Sequence, residues 1–194
     1  MVDAVSPVIR DGKSWPIGTR ADVAWITTAT SIGVRITSAI PPIFDDYATV
    51  LLPKPQAEKQ SHDQAIVALL TRQSPDQQWW IGYLDTGSAD VVFPDAPRVT
   101  LYANWPYVLV QAGPEQAACW RSDDLWSSRS TRLPDLMFPV DRSWLVSTLW
   151  DDDWTCVGGP VPLIDGFLSD PDLRTRVRRV GPKEDATPPG RNAI

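Results

Sequence analysis

The sequence predicts an α+β fold: a single domain with a central antiparallel β-sheet and three or four flanking helices. Three observations carry that expectation. Nineteen prolines are spread along 194 residues, which divides the chain into many short elements separated by fixed turns. From Trp79 onward the side chains alternate with a period of two, as a pleated strand requires. Successive strand-like runs are joined by short turn-forming stretches rather than crossover helices, which favours antiparallel pairing.

The elements follow in order. After a polar first dozen residues, residues 23–26 and 33–36 read as two short strands joined by a Thr/Ser-rich connection. Pro41 and Pro42 suit the first turn of a helix, and Ile43, Phe44, Tyr47, Val50 and Leu51 repeat at helical spacing until Pro53. Residues 54–60 read as a polar loop. Ser61 and Gln64 then have capping-box spacing, ahead of a buried stripe of Ala65, Ile66, Leu69 and Leu70.

In the strand from Trp79, Ile81 and Tyr83 share one face with Trp79, while Trp80 and Leu84 take the other. A turn at Asp85–Gly87 leads to a short strand at 91–93. Strands at 99–102 and 107–111 follow, separated by Asn104, Trp105 and Pro106. Gly113 and Pro114 introduce a short helix, and residues 121–135 read as a Ser/Arg-rich loop. Residues 143–150 and 154–157 form a hairpin around Asp151–Asp153, which brings Trp150 near Trp154. Gly158 and Gly159 end the strand. Pro160 then opens a helix with the stripe Leu163, Ile164, Phe167 and Leu168, stopped by Pro171. Residues 174–180 read as an edge strand with its charges in water, and the domain closes at 180. Residues 181–194 have the composition of a disordered tail.

Composition narrows the function classes. A net charge of −6 and a pI near 4.7 argue against nucleic acid or an anionic membrane as the main partner. The basic residues are mostly arginine, a bias of the kind expected from a GC-rich bacterial genome. No secretory leader and no membrane-spanning run is legible, so a cytoplasmic location is the expectation. Cys119 and Cys156 stand far apart in apolar settings and read as buried thiols.

No cofactor motif, metal-ligand spacing or catalytic set emerges. Ser61, His62 and Asp63 have the letters of a triad, but neighbours on a helix N-terminus diverge. His62 is the sole histidine. Asp85, Asp90, Asp95 and Glu115 are scattered carboxylates whose spacing defines no acid–base pair. The residues that remain suit recognition. Trp79, Trp80 and Trp105 are aromatics on or beside strands; the first two both face inward only if both sides of the sheet are covered, and otherwise one of them lines a groove or meets a partner. Asp151, Asp152 and Asp153 form an acidic hairpin tip. Gly158 and Gly159 lead into a helix N-terminus, where backbone N–H groups can receive an anion.

The segment Arg142-Ser-Trp-Leu-Val-Ser-Thr-Leu-Trp-Asp-Asp-Asp-Trp-Thr-Cys-Val-Gly-Gly159 resembles a stretch found in a group of uncharacterised actinobacterial-type cytosolic proteins. The blocks at 79–93 and 107–117 resemble the same group, so the likeness covers most of residues 15–180; it implies no activity. The segment Ile40-Pro-Pro-Ile-Phe-Asp-Asp-Tyr47, followed by an aromatic-rich sheet, is similar to the SUKH superfamily, many of whose members neutralise bacterial toxins. The glycine pair expected soon after that superfamily's early helix is missing here.

Together these readings predict a non-enzymatic binding protein that recognises another protein through an acidic, tryptophan-rich surface. An immunity-type inhibitor of a basic toxin is the particular form considered. The alternative is a small-molecule-binding protein or a carboxylate-based enzyme.

Overall fold

The computed structural model describes residues 7–86, 92–121, 133–149 and 152–187. Among these, strands β1 (Val8–Arg10) and β2 (Lys13–Trp15) form a hairpin, followed by helix α1 (Arg20–Thr27) and strand β3 (Asp46–Leu51). Helix α2 (Gln56–Gln73), strands β4 (Trp79–Leu84), β5 (Val99–Leu101) and β6 (Trp105–Ala112), and helix α3 (Pro114–Cys119) come next. The chain then runs through β7 (Leu136–Pro139), β8 (Leu145–Ser147), β9 (Trp154–Gly159), α4 (Val161–Ser169) and β10 (Val177–Arg179). Eight of these strands make one sheet in the order β10-β3-β9-β8-β7-β4-β6-β5, antiparallel at every pairing. The predicted class, α+β around an antiparallel sheet with four helices, is the observed one.

Alternation sorts the side chains into two cores, one on each face. Trp79, Ile81 and Tyr83 join Val108, Val110, Met137, Val146 and Val157 in the first core, together with Leu69 of α2 and Phe167 of α4. Leu84, Tyr107, Leu109, Phe138, Leu145, Trp154 and Cys156 join Val23 and Ile26 of α1 in the second. Both faces are therefore covered, which is why the central strands β7, β8 and β9 are buried throughout.

Several expectations need correction. Residues 23–26 are helical, not a strand. Thr19 caps α1, its backbone N–H and hydroxyl both donating to Asp22 Oδ2 at 2.7 and 2.8 Å. Residues 33–36 make no strand: they hold an isolated bridge, Arg35 to Asp185, and the start of a short 3₁₀ turn at Ile36–Ser38. The proline-led helix is absent as well. Residues 42–45 are turn and bend, and Tyr47, Val50 and Leu51 lie on β3, which pairs with both β9 and β10. The polar loop at 54–60 is largely the first turns of α2, which starts ahead of Ser61, and Ser61 Oγ bonds back to Glu58 O instead of capping. Val92 and Phe93 sit in a bend, while Val91 lies outside the described residues. The domain does not stop at 180. Residues 181–187 are placed, with Ile36 N–H on Glu184 O at 3.2 Å and Ala186 N–H on Val34 O at 2.8 Å; residues 188–194 lie outside the described residues.

Gly158 and Gly159 are strand residues inside β9, opposite Tyr47 and Asp46. A Cβ on Gly158 would run into Ile40 Cγ2 and Phe44, and one on Gly159 would stand 2.8 Å from Leu163 Cδ2. These positions are small so that the second core and α4 can close onto the sheet. Gly158→Ala is expected to cost about 1–3 kcal/mol through overpacking, read as a lower urea midpoint at unchanged m.

Candidate functional site

One concave site stands out among the described residues. It is a pocket of about 260 Å³ on the face of the second core, lined by the 30–35 loop, the turn between β5 and β6, the start of β9 and residues 186–187. Three aromatic side chains line it: Tyr102, Trp105 and Trp154. Buried Ala39 and Cys156 lie at its inner end, Leu149 and Asp152 stand at one side, and Arg35 stands at the mouth.

Local sequence explains each wall. The β5–β6 hairpin has the three-residue loop Tyr102-Ala103-Asn104, because Leu101 pairs with Trp105. Tyr102 and Asn104 sit at φ 51° and 66°, in the left-handed region. Asparagine tolerates that conformation, but a tyrosine there is unusual and stores strain. Two hydrogen bonds hold it: the Tyr102 hydroxyl donates to Ala39 O at 3.1 Å and lies 2.7 Å from Ser147 Oγ, which is then the donor. This anchoring ties the aromatic turn to the sheet and to the 3₁₀ segment beneath it. Trp154 and Cys156 both reach the second face because they lie two apart on β9.

Burial pushes the Cys156 thiol well up from its ordinary range; the Asp152 charge adds to the rise, and the Trp154 side chain opposes it. The thiol is therefore protonated at neutral pH, which removes it as a nucleophile. Burial also raises the Tyr102 phenol, with the Ser147 bond working against the shift and Cys156 adding to it. Trp154 Nε1 and Thr187 Oγ1 are buried without a hydrogen-bond partner. Both atoms are sealed from water.

Two sequence-predicted site residues, Trp105 and Asp152, come together here. The others do not. Trp79 is 0% exposed and packs edge-on against Trp144 with centroids 5.0 Å apart, so it presents no surface. Trp80 is half-buried on the opposite face of β4, against the second core. Asp153 is half-buried and its backbone carbonyl accepts from Leu52 N–H at 2.8 Å. Asp151, like Trp150, lies outside the described residues. Gly158 and Gly159 are the last two residues of β9, buried and paired with Tyr47 and Asp46, and offer no anion cradle. Pro160 and Pro162 remove donors at the α4 N-terminus, and Leu163 N–H and Ile164 N–H both turn back to Pro160 O.

The remaining sequence candidates dissolve too. His62 is fully buried on α2, its Nδ1 3.5 Å from Arg176 Nη2, and it does not line the pocket. Cys119 is exposed, contrary to the expected buried thiol. Asp85 is paired with Arg98 at 2.7 Å. Among the described residues, no group of three or more His, Cys, Asp or Glu side chains converges as a metal site would, and no helix is long and apolar enough to cross a membrane. Residues 30–35, Tyr102, Trp154 and Thr187 were not identifiable as a site from sequence, because five separated segments meet only in space.

This is an α+β architecture, an eight-stranded antiparallel sheet with an aromatic pocket at one face. No protein-family model matches the chain, and neither a curated protein nor a solved structure is significantly similar to it.

Proposed function

We propose that the protein is a non-enzymatic binding module whose contact site is the aromatic pocket and its apolar rim, and whose partner is another protein of basic character. The observation that carries this reading is the rim. Ile32 is 88% exposed and Val34 is 49% exposed, both beside the pocket. A ligand small enough to enter about 260 Å³ leaves those side chains in water, whereas a protein surface covers them while placing one side chain in the pocket. The overall charge of −6 favours a basic partner. An immunity-type inhibitor of a basic toxin fits that description, and so does a place among SUKH-like or actinobacterial-type proteins.

A second reading has its own support. The pocket has a formed inner end and a strained, doubly anchored Tyr102, which suits a free small molecule. Its lining has hydroxyl groups at Thr30, Ser31, Ser38 and Thr187 but includes no histidine.

Affinity capture from the native cell lysate with wild type and with Ile32→Ser separates the two. Ile32 is exposed, so the variant keeps the fold. A defined basic protein retained by wild type and lost by the variant is the expected result. An identical capture profile for both forms sinks the protein-partner reading.

A further inference from the structure

We propose that the pocket takes an organic cation, a primary or alkylated ammonium group, in a site made by Tyr102, Trp105, Trp154 and Asp152; this rests on the binding reading above. Two features of one cavity converge on that chemistry. Aromatic faces carry negative quadrupole density and attract cations, most strongly when water is excluded. Three of the lining side chains are aromatic, two of them tryptophan, the best ring for the purpose. A carboxylate, Asp152, stands in the same lining, and its charge is felt at the inner end, where it raises the Cys156 thiol.

The opposing charge is weaker where it matters. Arg35 is exposed at the mouth, so water and salt screen it, while Asp152 is half-buried. Size points the same way. Drug-sized ligands occupy pockets of about 300–1,000 Å³, so about 260 Å³ admits a head group or a single side-chain terminus. Cys156 is protonated and neutral, and neither repels nor reacts with such a group.

The cation has two sources, a lysine side chain of a partner protein or a free amine, and the test carries an arm for each. Choline and a short peptide bearing trimethyllysine are titrated into the full chain by calorimetry, beside the neutral carbon isostere of choline and benzoate as an anion. Binding of choline or the peptide is expected, with the isostere weaker by about tenfold. The tighter of the two cations names the source. Asp152→Asn and Trp105→Leu are each expected to weaken the cation by about five- to thirtyfold at unchanged thermal midpoint. Equal binding of the isostere, preference for benzoate lost in Arg35→Ala, or no binding of either cation overturns the inference. The last result leaves the partner reading standing if Ile32→Ser still abolishes capture, so the two failures are distinguishable.

Discussion

Replacing Asp135 by alanine is expected to destabilise the fold by about 3–5 kcal/mol, more than any other single change considered for this chain. Asp135 and Arg121 form an ion pair at 2.5 Å with side chains 8% and 4% exposed. Arg121 Nη1 also donates to Leu133 O at 2.6 Å, its guanidinium lies 5.1 Å from the Tyr83 ring centroid, and Leu84 N–H donates to Asp135 Oδ2 at 2.8 Å. The pair was misread from sequence as part of a polar surface loop at 121–135; it clamps the ends of that segment onto β4 instead. Removing the carboxylate takes the Asp135 charge and its two hydrogen bonds away from a buried guanidinium, and that loss is the source of the cost. Urea denaturation measures it. The double change Asp135→Leu with Arg121→Met removes both charges and is expected to recover most of the loss, because a buried pair contributes little net stability over apolar residues. A double variant as unstable as the single one would contradict this account.

Stability is also expected to fall as the solution is acidified from pH 6.5 towards pH 4, because of His62. Burial, with the Arg176 charge beside it, lowers its pKa from 6.5 to about 4. The folded chain holds the ring neutral, while the unfolded chain takes up a proton below about pH 6.5. The contribution is therefore complete above pH 6.5 and is lost progressively as pH drops through the folded value near 4. A shift of that size corresponds to roughly 3 kcal/mol. The surroundings allow no easy relief, since Arg176 faces the ring and is itself held by Glu58 at 2.6 Å. Denaturation midpoints of wild type and His62→Gln at pH 7 and pH 4.5 test the claim. Wild type is expected to lose stability more steeply than the variant; parallel losses would assign the acid sensitivity to other groups.

The sheet was legible because alternation is a short-range signal. Trp79, Ile81 and Tyr83 lie in one core and Trp80 and Leu84 in the other, as their spacing requires. The edge position of β10 and the helix stripe of α4 were readable for the same reason. Strand β3 was not. It is buried on both faces between β9 and β10, so its apolar run has no period to read, and Pro41-Pro42 imitated a helix start. Helix α1 was mistaken for a strand although Thr19 and Asp22 spell a capping box. The β1–β2 hairpin was missed although Asp11-Gly12, at φ 54° and 72°, is the strongest short hairpin signal there is. Strand β7 was hidden by Pro134 just ahead of it and Pro139 as its last residue. The site was the least legible part. Trp105 and Asp152 were named for their residue types, but their meeting with Tyr102 and Trp154 depends on sheet order, which no local pattern encodes.

The ten tryptophans supply their own reporters, since each indole N–H gives a separate proton–nitrogen correlation in a magnetic resonance spectrum. Adding choline to the labelled full chain is the most direct test of where recognition happens. The signals of Trp105 and Trp154 are predicted to move together along one saturable curve while those of Trp79 and Trp144, sealed in the other core, stay fixed. Movement confined to other tryptophans, or none at any concentration, would contradict the assignment of this pocket as the binding site.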